Sequence, residues 1–321
     1  MVSDSNLIPE APQVSTTRQG KTGLLQRINL SDQGWLGLVL TIPTLIAIFG
    51  TVLVPFVNSL WLSLHRRDIG RPQLDGFVGL GNYLKLLQDD RFLNSLEVTV
   101  VFSVASVILE LILGVAIALV LNERFKGRGF VRGLIILPWA MPSIVNAAMW
   151  QWIYNADYGA LNALLTQLGL IDKYQIWLAS PLAARALIIL ANVWKETPFT
   201  VLLVLAALQS IPDDIFDAAK VDGASAWQRF WRITLRLLTP VIMVAGFLQL
   251  LWGFQTFELA YIITGGGPAS STELLALRIY AQTFKSLRFG YGASIAYLTG
   301  LIILIPAIFY IRAAYRSIVE Y

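Results

Sequence analysis

Residues 210–240, SIPDDIFDAAKVDGASAWQRFWRITLRLLTP, separate two long apolar stretches with a segment that is first acidic and then aromatic. Pro212 suits a first helical position, and Asp213 and Asp214 fall in a first turn, where the helix dipole favours negative charge. Gly223 closes that helix as a residue at positive φ. Ser225, with Gln228 three residues on, forms a capping box that opens a second short helix. Along it Trp227, Phe230, Trp231, Thr234, Leu235 and Leu238 recur on one stripe at helical spacing. The pattern predicts a rigid knob of two short helices. Such a knob either lies in a membrane interface as an amphipathic element or docks on a soluble partner, and its acidic first helix argues against anionic lipid.

The sequence around this segment is that of a membrane protein. Of 321 residues 56% are hydrophobic and only 14% charged, with a mean hydropathy of +0.64, too apolar for an ordinary soluble domain. A spanning helix needs about 20 mostly apolar residues. Six stretches meet that length: 34–64, 93–121, 131–154, 182–208, 240–263 and 291–315. Six spans place both termini on one side. With the N-terminus in the cytoplasm, the inside segments carry thirteen Lys and Arg against ten outside, the expected sign. The short loop from Glu123 to Gly129 is the clearest inside signal, and 210–240 falls on the same side. Residues 1–33 are polar, with Pro9, Pro12 and Gly20, and read as a retained flexible tail without a signal peptide.

Prolines interrupt the apolar stretches at Pro43, Pro55, Pro138, Pro142, Pro198 and Pro306. In lipid a broken backbone hydrogen bond is tolerated where protein or a wet cavity resupplies the partner. The pair Pro138 and Pro142, and the isolated Pro198, therefore mark either irregular helices facing a pathway or simple kinks. Gly292, Ala296 and Gly300 repeat every four residues, a stripe for close helix contact within the chain or with a partner.

Several chemistries are excluded. With no Cys there is no disulfide, thiolate metal site or Cys nucleophile, and a lone His65 argues against His-based metal or triad chemistry. Gly20-Lys21-Thr22 brushes against a phosphate-loop pattern, but Ser15 stands where its first glycine belongs and no apolar strand precedes it. No catalytic or metal-ligating set is read, and the modest basic excess concerns topology rather than nucleic acid. Charges inside spans are costly and face a cavity or a partner. Lys195 and Glu196 are such charges, read either as pathway residues or as a local packing pair. Glu110 is a third, with no role assigned.

The run Asp217-Ala218-Ala219, then Asp222-Gly223-Ala224, Phe230, Ile233, Leu235 and Pro240 resembles the signature loop of permeases in binding-protein-dependent ABC importers. Further matches are Phe77-Val78-Gly79-Leu80-Gly81-Asn82-Tyr83, Asn94-Ser95-Leu96, Leu137-Pro138 and Gly265-Gly266-Gly267-Pro268, which resemble the sugar-permease branch with its maltose and trehalose systems. Two positions depart from the pattern: Asp217 stands where Glu is usual, and Arg236 where Pro is common. The resemblance implies an all-α integral membrane protein of six transmembrane helices, the type I importer fold, with a tail at 1–33 and a permease domain at 34–321 whose coupling loop spans 209–240.

It also implies a coupling role for that loop in a groove of an ATPase subunit. Asp222, Gly223 and Ala224 would make the tight turn and close approach, and Asp217, beside Ala218 and Ala219, would anchor electrostatically. By spacing from the motif, the family's substrate pocket falls on Lys195, Glu196 and Phe199, then on Gln249, Trp252, Gly253, Thr256 and Phe257. Aromatic faces with hydrogen-bonding groups suit a pyranose. The implied protein is a non-catalytic subunit in a bacterial cell membrane, without a cofactor of its own. Its implied partners are a second permease, two ATP-binding subunits that hold ATP and Mg, an extracytoplasmic substrate-binding protein, a sugar and the bilayer. Two alternatives remain open at this level: a glycerol 3-phosphate or polyol importer, and a self-sufficient secondary transporter with Glu110, Lys195 and Glu196 as a relay, which would not need the knob.

Overall fold

A computed structural model describes residues 32–319, and residues 1–31, most of the expected polar tail, lie outside the described residues. The elements are α1 (Asp32–Ile48), α2 (Val54–Ser63), β1 (His65–Arg66), β2 (Gly76–Phe77), α3 (Gly81–Leu86), α4 (Asp90–Asn122), α5 (Arg128–Ala140), α6 (Ser143–Ile153) and α7 (Ala160–Gln167). There follow α8 (Pro181–Ser210), α9 (Asp213–Val221), α10 (Ala226–Arg229), α11 (Leu235–Gln255), α12 (Leu275–Tyr280) and α13 (Phe289–Val319). Among the described residues the only sheet is the antiparallel β1–β2 pair, with His65 opposite Phe77 and Arg66 opposite Gly76.

The chain divides into two compact units, Met1–Pro55 and Phe56–Tyr321. The described part of the first is α1 and a π-helical turn, Phe49–Leu53, just ahead of Pro55. Pro55 has no N–H for the ladder, and the preceding turn widens so that Val54 N–H reaches back to the Phe49 carbonyl.

Among the described residues five helices are long and apolar enough to cross a membrane: Val39–Ser63, Asp90–Asn122, Pro181–Ser210, Ala226–Thr264 and Phe289–Arg312. The expected third span is broken. α5 and α6 meet at 96°, and only together do they amount to a sixth crossing. The break falls at Met141–Pro142, where both residues are extended, while Pro138 stays inside α5 and Pro198 inside an unbroken α8. Proline disfavours helical backbone in the residue before it, which places the break at Met141.

In the second unit α4, α8 and α11 pack together as the centre. One apolar cluster joins Val98 and Phe102 of α4 to Ile188 of α8 and Ala147 of α6, and another joins Ala118 and Leu121 to Val204, Leu205 and Leu238. A third joins Leu86, Phe92, Phe254, Leu275 and Ile295. Elsewhere the helices leave large apolar side chains exposed, among them Ile108 and Ile112 on α4 and Leu304 and Ile305 on α13. In lipid such faces need no cover, since tails are as apolar as the side chains and helices associate by close packing. The small-residue stripe of α13 splits accordingly. Gly292 is buried against Thr283, whereas Ala296 is exposed and nothing lies within 4 Å of a Cβ built at Gly300.

The knob departs from the expected two short helices. α9 is separate, but the helix opened by Ser225 does not end; it runs through a π-helical turn, Phe230–Thr234, into α11. Pro240 removes one donor near the start of α11 without stopping it. The widened turn also rotates the aromatic stripe. Trp227 and Trp231 are exposed, while Thr234 and Leu238, expected on the same stripe, are buried.

Candidate functional site

The knob holds its shape by local bonds. Ala224 N–H donates to the Ala219 carbonyl at 2.9 Å and Gly223 N–H to that of Lys220 at 3.0 Å. This is the paired pattern of a Schellman cap, and Gly223 supplies its left-handed residue at φ +76°. A Cβ built there meets nothing within 4 Å, so the glycine serves the turn and leaves an open approach. Ser225 and Gln228 form the expected capping box, with Ser225 N–H donating to Gln228 Oε1 at 2.8 Å. Arg229 Nη1 donates to the Ala224 carbonyl at 2.6 Å and closes the corner. Asp217, Ala218, Asp222 and Gly223 are exposed, Ala224 is half-buried and Ala219 is buried. Asp217 is not free, since Lys220 Nζ donates to its Oδ1 at 2.8 Å. Around these polar groups stand bare apolar side chains, Val221 at 88% exposure and Trp227 at 70%.

Within the spans, Lys195 Nζ donates to Glu196 Oε1 at 2.6 Å, and both side chains are mostly buried. The two charges thus satisfy each other. Glu110 has a different partner: it is buried and accepts from Asn192 Nδ2 at 2.9 Å, one turn before Lys195 on α8. Beside the charge pair runs a row of rings. Phe199 stands edge-on to Trp252 with centroids 4.7 Å apart, and Trp139 of α5 stacks on Phe199 at 6.0 Å.

The expected pocket residues therefore fall into three groups. Lys195, Glu196, Phe199 and Trp252 come together on half-open surface. Gln249 and Gly253 lie behind them in the packing seam. Gln249 is 3% exposed and its Nε2 donates to Thr200 Oγ1 at 2.8 Å and to the Glu196 carbonyl at 3.2 Å. A Cβ on Gly253 would come within 2.8 Å of Ser103 Oγ, so the glycine lets α11 approach α4. Thr256 donates to the Trp252 carbonyl at 3.1 Å where α11 ends, and Phe257 stacks on Tyr261 at 5.0 Å and meets Tyr280 at 5.2 Å in a second aromatic group. Trp139 and Asn192 were missed from sequence. Trp139 is one of ten tryptophans, and only the bend after α5 shows which rings it faces.

The opposite end of the second unit is tied by Asp89. It caps α4, accepting from Arg91 and Phe92 N–H, and also accepts from Arg278 Nη2 and Tyr291 Oη, each at 2.7 Å. Arg278, 4% exposed on its side chain, also reaches Glu273 at 3.3 Å. Burial pushes the Asp89 carboxyl up, but the Tyr291 and Arg278 hydrogen bonds outweigh it and hold the group below the usual carboxylate range.

Comparison with known proteins agrees with this architecture. The chain is 42% identical over 277 residues to the trehalose/maltose transport system permease protein MalF of Thermococcus litoralis, covering 86% of this chain and 92% of that one. It is 34% identical over 275 residues to the trehalose transport system permease protein SugA of Mycobacterium tuberculosis, covering 85% and 87%. A chain from the crystal structure of a bacterial alginate ABC transporter, in complex with alginate pentasaccharide-bound periplasmic protein, shares the fold with a TM-score of 0.76 at 23% identity, over 89% of this chain and 96% of that one. The model of one family, described as the inner membrane component of binding-protein-dependent transport systems, matches residues 110–319, and it is to this family of multi-pass membrane permeases that the chain belongs.

Proposed function

We propose that the chain is a transmembrane permease subunit of an ATP-driven carbohydrate importer. The observation that carries the carbohydrate reading is the row Trp139, Phe199 and Trp252 beside the Lys195–Glu196 pair at membrane depth. A sugar ring offers CH faces that lie on aromatic rings and hydroxyls that both donate and accept. The relatives named for trehalose and maltose support the same cargo. A phosphorylated polyol is disfavoured, because Glu196 already neutralises Lys195, the one cation beside the row among the described residues. Lys195, Glu196, Phe199 and Trp252 contact the sugar in this reading. Gln249 and Gly253 hold α11 against α8 and α4 behind them, and Thr256 and Phe257 belong to the external mouth.

The knob is the second part of the proposal. Both termini and the 213–229 segment face the cytoplasm, where Val221, Trp227 and the Gly223 corner seat in a groove of an ATP-binding subunit. Two such subunits bind the ATP and Mg and hydrolyse the nucleotide, so this chain is non-catalytic and carries no cofactor. A second permease completes the pathway, and an extracytoplasmic binding protein delivers the sugar. The helix that leaves the knob at Ser225 reaches Trp252 without a chain break, about 40 Å at 1.5 Å per residue. A displacement of the knob is thereby delivered along one helix to the sugar row.

The test is uptake of labelled trehalose, maltose and glycerol 3-phosphate by proteoliposomes holding the chain with its partners. ATP-dependent disaccharide uptake that requires the binding protein is the expected result. Uptake without any ATP-binding subunit, or of glycerol 3-phosphate alone, would overturn the proposal.

A further inference from the structure

Away from both sites, the β1–β2 hairpin, α3 and the starts of α4 and α13 border a half-open cavity of about 460 Å³. Five cations line it, Arg66, Arg67, Arg71, Lys85 and Arg288, against two carboxylates, Asp68 and Asp89. Both acids are already committed. Asp89 is taken by Arg278, Tyr291 and the α4 cap, and Asp68 accepts from Gly70 N–H at 3.0 Å and faces Arg288 Nε at 3.9 Å. Arg67 is paired with Asp75 at 3.3 Å. Among the described residues Arg66, Arg71 and Lys85 have no ion pair, and they share one concave space. Like charges gathered this way repel unless an anion bridges them, and guanidinium forks match phosphate oxygens.

The surroundings tell which anion. On α3 and its flanks Leu80, Leu84 and Leu87 are exposed at 65%, 62% and 60%, spaced four and three residues apart on one side, while Asn82 and Leu86 are buried. Lys85, between Leu84 and Leu87 in sequence, and Gln88, just after Leu87, turn into the cavity. An apolar ridge thus adjoins a basic hollow. Both lie where Val39–Ser63 ends and Asp90–Asn122 begins, at the ends of two spans and so at headgroup level. A soluble anion or an acidic protein surface would leave the leucine ridge uncovered. A molecule with a charged head and apolar tails covers both.

We infer that this cavity binds the phosphate headgroup of an anionic phospholipid, with the acyl chains lying along Leu80, Leu84 and Leu87. The assignment is independent of the cargo and of the ATP-binding partners.

The test uses the full chain, with its partner subunits, in nanodiscs of equal phosphatidylglycerol and phosphatidylcholine, with retained lipid counted by native mass spectrometry. The wild type is expected to retain phosphatidylglycerol about tenfold over phosphatidylcholine, because both carry a phosphate diester but choline adds a cation that the five basic side chains repel. The variant R66Q/R71Q/K85Q is expected to lose that preference while unfolding at the wild-type temperature in phosphatidylcholine alone. Should it fail to fold, K85Q alone, exposed and unpaired, is expected to lower the preference severalfold. L80Q/L84Q/L87Q, with all cations kept, is expected to retain less of either lipid. An unchanged preference in the cation variants overturns the site. Displacement of the lipid by millimolar inorganic phosphate, or an unaffected leucine variant, overturns the lipid in favour of a soluble anion.

Discussion

The hydrogen bonds that shape the 213–229 knob span five residues or fewer, whereas Asp89, at the other end of the second unit, is bound by Arg278 and Tyr291, 189 and 202 residues further along. Among the described residues no side chain of the knob hydrogen-bonds or ion-pairs beyond it, and Val221 and Trp227 stand bare. The Asp89 end buries the Arg278 charge and ties the starts of α4 and α13 to α12. A self-supporting element can move as one body and offer a finished surface, while an end stitched across the sequence resists separation of its helices. The difference suits a lever at one end and a brace at the other.

Breaking the lever has the largest expected effect. Gly223→Trp places a bulky side chain in the open approach at φ +76° and abolishes ATP-driven uptake and co-purification of the ATP-binding subunits. Membrane insertion stays normal, and unchanged uptake would refute the docking role. Breaking the brace is a matter of stability. Arg278→Leu leaves the Asp89 and Glu273 carboxyls without their cation and costs about 3 kcal/mol, the low end for a broken buried pair because Tyr291 still serves Asp89. Thermal unfolding of the reconstituted chain measures it, and a loss under about 1 kcal/mol would show the brace to be ornamental.

Between the two ends, Trp252→Ala removes the edge contact to Phe199 and lowers transport about five- to tenfold with the ATP-binding subunits still attached. Unchanged transport kinetics would take Trp252 out of the pathway.

The Asp89 brace also has a pH signature. Its folded carboxyl titrates below the ordinary value, so its stabilisation is complete above the unfolded value near 4 and is lost as pH falls through the lowered folded one. The stability difference between wild type and Asp89→Asn is therefore flat at neutral pH and shrinks only in acid. A difference that shrinks as pH rises would contradict the assignment. The smallest effect belongs to the knob's own ion pair. Lys220→Ala changes stability by about 0.5 kcal/mol or less, because both partners are more than half exposed. A larger loss would mean that the knob depends on more than its backbone caps.

What could be read before the structure follows from range. The Ser225–Gln228 box, the Gly223 cap and the acids in the first turn of α9 are contacts between residues close in sequence, and all three are present as read. The second knob helix was misjudged because Pro240 looks like a boundary, yet a helix survives one proline when its other bonds remain. Lys195 and Glu196 were recognisable as charges in a span, but adjacent helical residues do not ordinarily face each other, and their mutual bond depends on both side chains turning together. Gln249 stands at helical spacing from both Trp252 and Gly253, and spacing alone could not say which face of α11 meets α8 and α4.

By itself the sequence determined a multi-span helical membrane protein with a capped, exposed knob, because span length, hydropathy and caps act over a few turns of one chain. Only the tertiary structure decided the bend between α5 and α6, the meeting of Trp139 with Phe199 and Trp252, the burial of Gln249, the Asp89–Arg278 brace and the basic cavity beside α3. Each of these joins groups far apart in sequence. Which groups meet is set by how helices pack face to face in lipid, where apolar pattern no longer distinguishes inside from outside.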